Sequence, residues 1–200
     1  MSFIESLILG IRLTSLCEWL GFITGVLYVV FAANKSMLCW LFAIVSSAIY
    51  IYLCFTAQLY IETILQVFYL AMAFYGWFSW KQSKETTNDL KKWTLTEHAI
   101  NLFLSALVML ILGYFFDKYT NQQQPYLDAF TTCFSLAATY MVTKKIVENW
   151  IYWIVIDVVS MYLYWSRDYQ LSAVLYFIFT ILAVVGFIAW MKQYKMQSHA

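Results

Sequence analysis

The residues of this chain best able to do chemistry sit inside apolar runs. Asp157 closes the segment Asn149-Trp-Ile-Tyr-Trp-Ile-Val-Ile-Asp157. A carboxylate at bilayer depth costs about 2.5–3.5 kcal/mol on insertion scales, so it must face protein or water. It serves either as a hydrogen-bonded tie between helices or as a substrate contact within a gate network. Trp153 precedes it by one helical turn, which puts ring and carboxylate on one face. Such a face suits a flat cationic ring: stacking on Trp adds about 0.5–2 kcal/mol, and the acid supplies the counter-charge.

Amides and rings extend this set. Gln66 lies one turn into an apolar run and is followed by Phe68, Tyr69, Tyr75 and Trp77; Asn149 stands beside Trp150 and Trp153. An amide both donates and accepts, so it can read a polar edge or tie two helices together. Glu18 opens another run, as an interfacial acid or as the counter-charge of a cationic substrate. Asp128, Glu62 and Glu148 open runs as well and read as boundary residues.

The elements that must position these groups are membrane helices. The chain is 63% hydrophobic and 12% charged, with one Pro, unlike a soluble domain. Seven stretches are apolar and long enough to cross a bilayer: Leu16–Ala33, Met37–Thr56, Ile61–Trp80, Ala99–Phe116, Tyr126–Thr143, Trp150–Ser166 and Leu171–Met191. Helices are expected because lipid offers no partner for an open backbone group, and the runs are continuous rather than alternating as in a β-barrel. Residues 1–15, with Glu5 and Arg12 among apolar residues, read as an amphipathic interfacial segment rather than a cleaved signal peptide. Lys35, Lys81, Lys84, Lys91, Lys92, Lys144, Lys145, Lys192 and Lys195 fall on one side of seven spans; Arg12, Lys118 and Arg167 fall on the other. The positive-inside rule then puts the amino terminus outside and the carboxyl terminus in the cytoplasm.

The chain also repeats. At a constant offset of 110 residues, Trp40 meets Trp150, Leu65 meets Leu175, Gly76 meets Gly186, Trp80 meets Trp190 and Glu18 meets Asp128. Residues 16–80 form a first three-helix unit and 126–191 a second. Residues 81–125 hold a polar loop and a fourth, connecting helix, and 192–200 a cytoplasmic tail. An odd number of connecting spans makes the two units parallel. The expected fold is therefore an all-α membrane protein of seven helices, SWEET-like, with the substrate path between the halves. Gly21 and Gly25 form a GxxxG pair that reads as close helix packing or as a face kept open for substrate. Trp80, Trp93 and Trp190 read as interface-belt residues.

Other classes find little support. Net charge is +1, so nothing points to nucleic acid. Cys17, Cys39, Cys54 and Cys133 show no CxxC spacing and read as small packing residues. No metal and no cofactor is expected. His98 and His199 lie near one surface, and no HExxH or Gly-rich phosphate loop occurs, so an enzyme is not expected. A membrane receptor that binds without transporting is the other class, with the 81–97 loop as its docking surface.

The chain resembles the PnuC family of vitamin transporters. The run Leu59-Tyr-Ile-Glu-Thr-Ile-Leu-Gln-Val-Phe-Tyr-Leu-Ala-Met-Ala-Phe-Tyr-Gly-Trp77 is similar to its third-span signature. Residues Glu148 to Asp157, continuing through Ser160 to Tyr164, are similar to its sixth-span signature. The resemblance implies two three-helix bundles joined by a fourth helix, a homotrimer in a bacterial inner membrane, and facilitated diffusion of thiamine or nicotinamide riboside, trapped by phosphorylation. It carries substrate contact to Gln66, Asn149, Trp153 and Asp157, with Tyr69 and Trp150 beside them. Trp40 matches less closely, because Leu41-Phe42 replaces the Pro-Gly-containing pattern expected of riboside carriers. Glu18 and Glu62 make the chain look closest to the thiamine-transporting PnuT branch, with nicotinamide riboside as the alternative.

Overall fold

The computed structural model describes residues 3–58, 60–86, 90–120 and 122–197. Residues 198–200 of the expected tail, His199 among them, and residues 87–89 within the expected loop lie outside the described residues, as does the Lys84 side chain. Among the described residues eight helices follow one another: α1 Phe3–Leu13, α2 Leu16–Ala33, α3 Leu38–Thr56, α4 Tyr60–Thr86, α5 Leu95–Tyr119, α6 Pro125–Thr143, α7 Asn149–Ser166 and α8 Gln170–Gln197. The expected amino-terminal segment is α1, which packs on α8.

Local sequence sets the helix ends. Ser15 caps α2 by accepting from the Glu18 backbone N–H, and the Glu18 carboxylate accepts from the Ser15 N–H at 2.6 Å. Thr94 and Glu97 repeat this capping box at α5. Pro125 opens α6, where its missing N–H leaves no bond unmade. Helices α4 and α8 outrun their expected ends at 80 and 191. Lys and Gln are good helix formers, and a helix need not stop where the apolar run does.

The offset of 110 residues recurs in the backbone. Among the described residues, four non-glycine residues have positive φ: Lys35 at 52°, Lys145 at 58°, Gln58 at 61° and Asp168 at 60°. They form two pairs at that offset. At the first pair the helix ends are closed alike: Ser36 N–H bonds Phe31 O, and Ile146 N–H bonds Met141 O. These are Schellman closures, which satisfy carbonyls a helix end would otherwise leave open.

The helices close into a ring. α2 packs on α3, α3 on α4, α4 on α6, α6 on α7, α7 on α8, and α8 on α2. Among the described residues neither α2 with α4 nor α6 with α8 forms a packed pair. Six helices thus enclose an axis, while α5 docks on the outside of α6. Gly113 lets α5 approach, since a Cβ there would sit 2.4 Å from the Tyr126 ring. The Gly21/Gly25 pair serves close packing of α2 on α3: Ser46 donates its hydroxyl to Gly21 O at 3.0 Å.

Seven apolar spans were expected, and α2–α8 occupy those stretches. Among the described residues, α2, α3, α5 and α8 are long and apolar enough to cross a membrane by length and composition. α4, α6 and α7 fall short. They carry the polar and Tyr/Trp-rich inner face of the ring, and that content lowers their mean hydropathy.

Candidate substrate-binding site

The inner face of α7 is built at helical spacing from Asn149, Trp153, Asp157, Ser160 and Tyr164. Asp157 is buried, 4% exposed, and has neither hydrogen bond nor ion pair among the described residues. It lies within electrostatic reach of the Tyr69 hydroxyl on α4 and the Tyr176 hydroxyl on α8. Tyr69 shares a 2.6 Å hydrogen bond with Ser135 on α6, which fixes that ring across the axis. Tyr164 and Tyr176 stack with centroids 5.2 Å apart. Ser47 on α3 and Ser160 are buried too, and Gln66 is half-buried on α4. None of these three side chains has a hydrogen-bond partner among the described residues. Unpaired polar groups in an apolar interior are costly, which makes Asp157, Gln66, Ser47 and Ser160 candidates for contact with water or a polar ligand.

Not every residue singled out from the sequence belongs to this cluster. Tyr69 lies within electrostatic reach of Asp157, and Gln66 stands one turn before Tyr69 on α4. Trp153 is half-buried one turn away and packs on the core. Asn149 is fully buried at the far end of α7, where its amide donates to Ile146 O at 2.6 Å and its carbonyl oxygen is left without a partner. Trp40 and Trp150 are 1% and 3% exposed and form part of a tryptophan layer at the same end. Glu18 is exposed and committed to its capping box. Trp80 and Trp190 are not belt residues: at 2% and 0% exposed they are among the most buried side chains, because both turn inward across the ring. Sequence reasoning passed over Ser47, Ser135 and the role of Tyr176. The repeat held a signal for two of them, since Ser47 is the mate of Asp157 and Tyr176 the mate of Gln66.

Charged groups sit at the two ends of the ring. Arg167 makes a bidentate contact with Asp128, at 3.0 and 2.6 Å, tying the end of α7 to the start of α6. The Asp128 carboxylate holds the Arg167 guanidinium above its usual pKa. Gln122 also donates to Asp128. At the opposite end Lys144 donates to the Tyr75 hydroxyl, which raises the pKa of the ammonium. The backbone of Lys91 pairs with Lys145 O and with the Val147 N–H, closing the segment between α4 and α5 onto the α6–α7 turn. Among the described residues no group of His, Cys, Asp or Glu is placed to hold a metal ion.

Residues 15–192 match the family model described as nicotinamide mononucleotide transporter. The chain belongs to that family. It is 24% identical over 202 residues to the nicotinamide riboside transporter PnuC of Escherichia coli strain K12, covering 88% of this chain and 84% of that protein. It is 28% identical over 189 residues to PnuC of Neisseria mucosa, covering 88% and 72%. The riboflavin/roseoflavin transporter RibM of Streptomyces davaonensis is 24% identical over 138 residues, covering 66% and 65%. The fold matches a crystal structure of the vitamin B3 transporter PnuC with a TM-score of 0.73 at 23% identity, over 97% of this chain and 90% of that one.

Proposed function

We propose that the chain carries a cationic vitamin, nicotinamide riboside in the first place, across a membrane along the axis of the six-helix ring. Asp157 carries the reading: it is a buried acid on the inner wall with no partner among the described residues. A pyridinium ring beside it supplies the missing charge, with Tyr69 and Tyr176 as aromatic walls. Gln66, Ser47 and Ser160 offer hydrogen bonds to ribose hydroxyls. Names of relatives support the riboside over thiamine, since those reported are riboside or riboflavin carriers. The two acids that favoured thiamine, Glu18 and Glu62, are both exposed in the first turns of their helices.

Transport is uniport by alternating access of two parallel three-helix units, residues 16–80 and 126–191, joined by α5, with seven crossings. The cargo enters at the Arg167 end, outside, and leaves at the lysine-rich end, in the cytoplasm, where phosphorylation traps it. Assembly as a homotrimer in a bacterial inner membrane belongs to the same reading. Calorimetry of purified protein with nicotinamide riboside, thiamine and riboflavin tests the cargo, and flux into proteoliposomes tests transport. Riboside binding that Asp157→Asn weakens at least tenfold, about 1.4 kcal/mol, supports the reading. Preferred binding of neutral riboflavin, untouched by that substitution, overturns it. Binding without flux would make the chain a receptor.

A further inference from the structure

Below Asp157 the ring is filled by four indoles, one each from α3, α4, α7 and α8. They run in sequence Trp40, Trp80, Trp190, Trp150. Centroid separations are 5.2, 6.2 and 5.5 Å, and the two outer contacts are both edge-on, at 87° and 88°. All four are 3% exposed or less. The middle pair crosses the axis between α4 and α8, which among the described residues are not otherwise packed on each other.

The two middle indoles are bonded reciprocally. Trp80 Nε1 donates to Val142 O at 3.2 Å, and Trp190 Nε1 donates to Ala32 O at 3.0 Å. Each indole belongs to one half of the chain and each carbonyl to the other. These carbonyls already accept from Lys145 N–H and Lys35 N–H in the positive-φ turns, so each is held at a fixed angle toward the incoming indole. The outer indoles differ: Trp40 Nε1 and Trp150 Nε1 have no partner among the described residues.

We infer that this tryptophan layer is the gate at the lysine-rich end, closed in this structure, and that the Trp80–Val142 and Trp190–Ala32 bonds are its latch. All six ring helices contribute, four with rings and two with carbonyls. Separating the halves at this end must break both bonds together, and closing must remake both. That coupling gives the gate two states rather than a continuum. The inference rests on the transport reading, but its test needs no cargo.

The experiment reads the gate by pulsed electron paramagnetic resonance. Spin labels go on Lys81→Cys and Lys192→Cys, exposed positions next to the middle indoles. Cys17 and Cys54, the two cysteines that are not buried, are replaced by Ser. Trp80→Phe with Trp190→Phe keeps a ring at each site and removes only the donors and the extra ring. The expected result is a second, longer inter-label distance, with the open form raised about tenfold over the native protein. Trp40→Phe with Trp150→Phe trims the layer by the same area without removing a bond, and is expected to leave the distribution as in the native protein. An unchanged distribution in the Trp80/Trp190 variant overturns the inference; so does an equal shift in the Trp40/Trp150 variant, because packing rather than the latch would then hold the gate. If the double variant does not fold, each single Phe variant is expected to show a smaller shift of the same sign, and its absence in both is equally fatal. Loss of riboside binding with the shift intact would count against the cargo alone.

Discussion

Gly76→Ala is the most exacting probe of the tryptophan layer. A Cβ built at Gly76 would lie 2.3, 2.4 and 2.5 Å from Cη2, Cζ2 and Cζ3 of Trp40. Comfortable carbon contacts are about 3.5–4.0 Å, so the ring or the helix must retreat by more than 1 Å, roughly a full bond length. Trp40 cannot retreat freely: Trp80 stands edge-on at 5.2 Å and Tyr28 at 6.2 Å. Overpacking of this kind costs about 1–3 kcal/mol, against a gain of about 1 kcal/mol from replacing Gly by Ala in a helix. With contacts this short to a hemmed-in ring the cost falls in the upper part of that range, about 2–3 kcal/mol, so a net loss of about 1–2 kcal/mol is expected, or about 2–8 °C in melting temperature by the scaling for chains of this length. Thermal melts in detergent, followed by tryptophan fluorescence, measure it. Gly186→Ala should cost less, because its nearest Trp150 atoms are 2.7 Å away, and Gly25→Ala least, with Ser46 Oγ at 3.4 Å. Adding Trp40→Phe to Gly76→Ala removes the clashing atoms and should recover part of the loss, as a coupling between contacting residues. A Gly76→Ala protein as stable as the native one, or no recovery in the double variant, would refute the packing described above.

Other expectations are simpler to check. Glu18→Gln should leave riboside binding and the melting temperature unchanged, since Gln can also complete a capping box, whereas Glu18→Ala should lower the melting temperature slightly. Arg167→Ala should destabilise by about 1 kcal/mol, with the Asp128→Ala/Arg167→Ala double variant no worse than the worse single one, because the pair is partly exposed. Tyr75→Phe should let the Lys144 pKa fall back toward its ordinary value, so that at about pH 9 an amine-directed reagent labels Lys144 faster than in the native protein; mass spectrometry of the peptide reads the rate. Tyr69→Phe should weaken riboside binding while Ser135→Ala weakens it less, if the hydroxyl faces the cargo and Ser135 only aims it.

The repeat was legible because its markers are rare residues that the backbone also uses. Gly76 and Gly186 each seat a Trp ring from their own half, and no other residue type leaves room. Helix positions followed from apolar runs, with ends off by several residues where Lys and Gln continued a helix. The tryptophans were misjudged for a physical reason: a Trp near a helix end has the same sequence context whether it faces headgroups or turns inward to a partner 110 residues away. Glu18, an interfacial acid or a counter-charge by its sequence, is also a capping residue. Ser15-Leu-Cys-Glu18 spells a capping box in plain sequence, but the charge drew attention before the cap did. The burial of Asp157 and the partial burial of Gln66 were legible because polar side chains are expensive in apolar runs. Ser47 was not, since a serine in a membrane helix raises no alarm until its mate is seen to be an acid.

That last difference bears on how a cargo lies in the ring. Two equal halves would offer any cargo two poses, one the reverse of the other, each as good as its twin. Here one half presents a carboxylate at position 157 and the other a hydroxyl at position 47; likewise a phenol at 176 answers an amide at 66. The mirror-like degeneracy is gone. Under the proposed reading, an asymmetric vitamin, charged at one end and hydroxylated at the other, would have a single head-to-tail orientation, with its charged end toward α7. It would therefore meet the tryptophan layer the same way round on every passage.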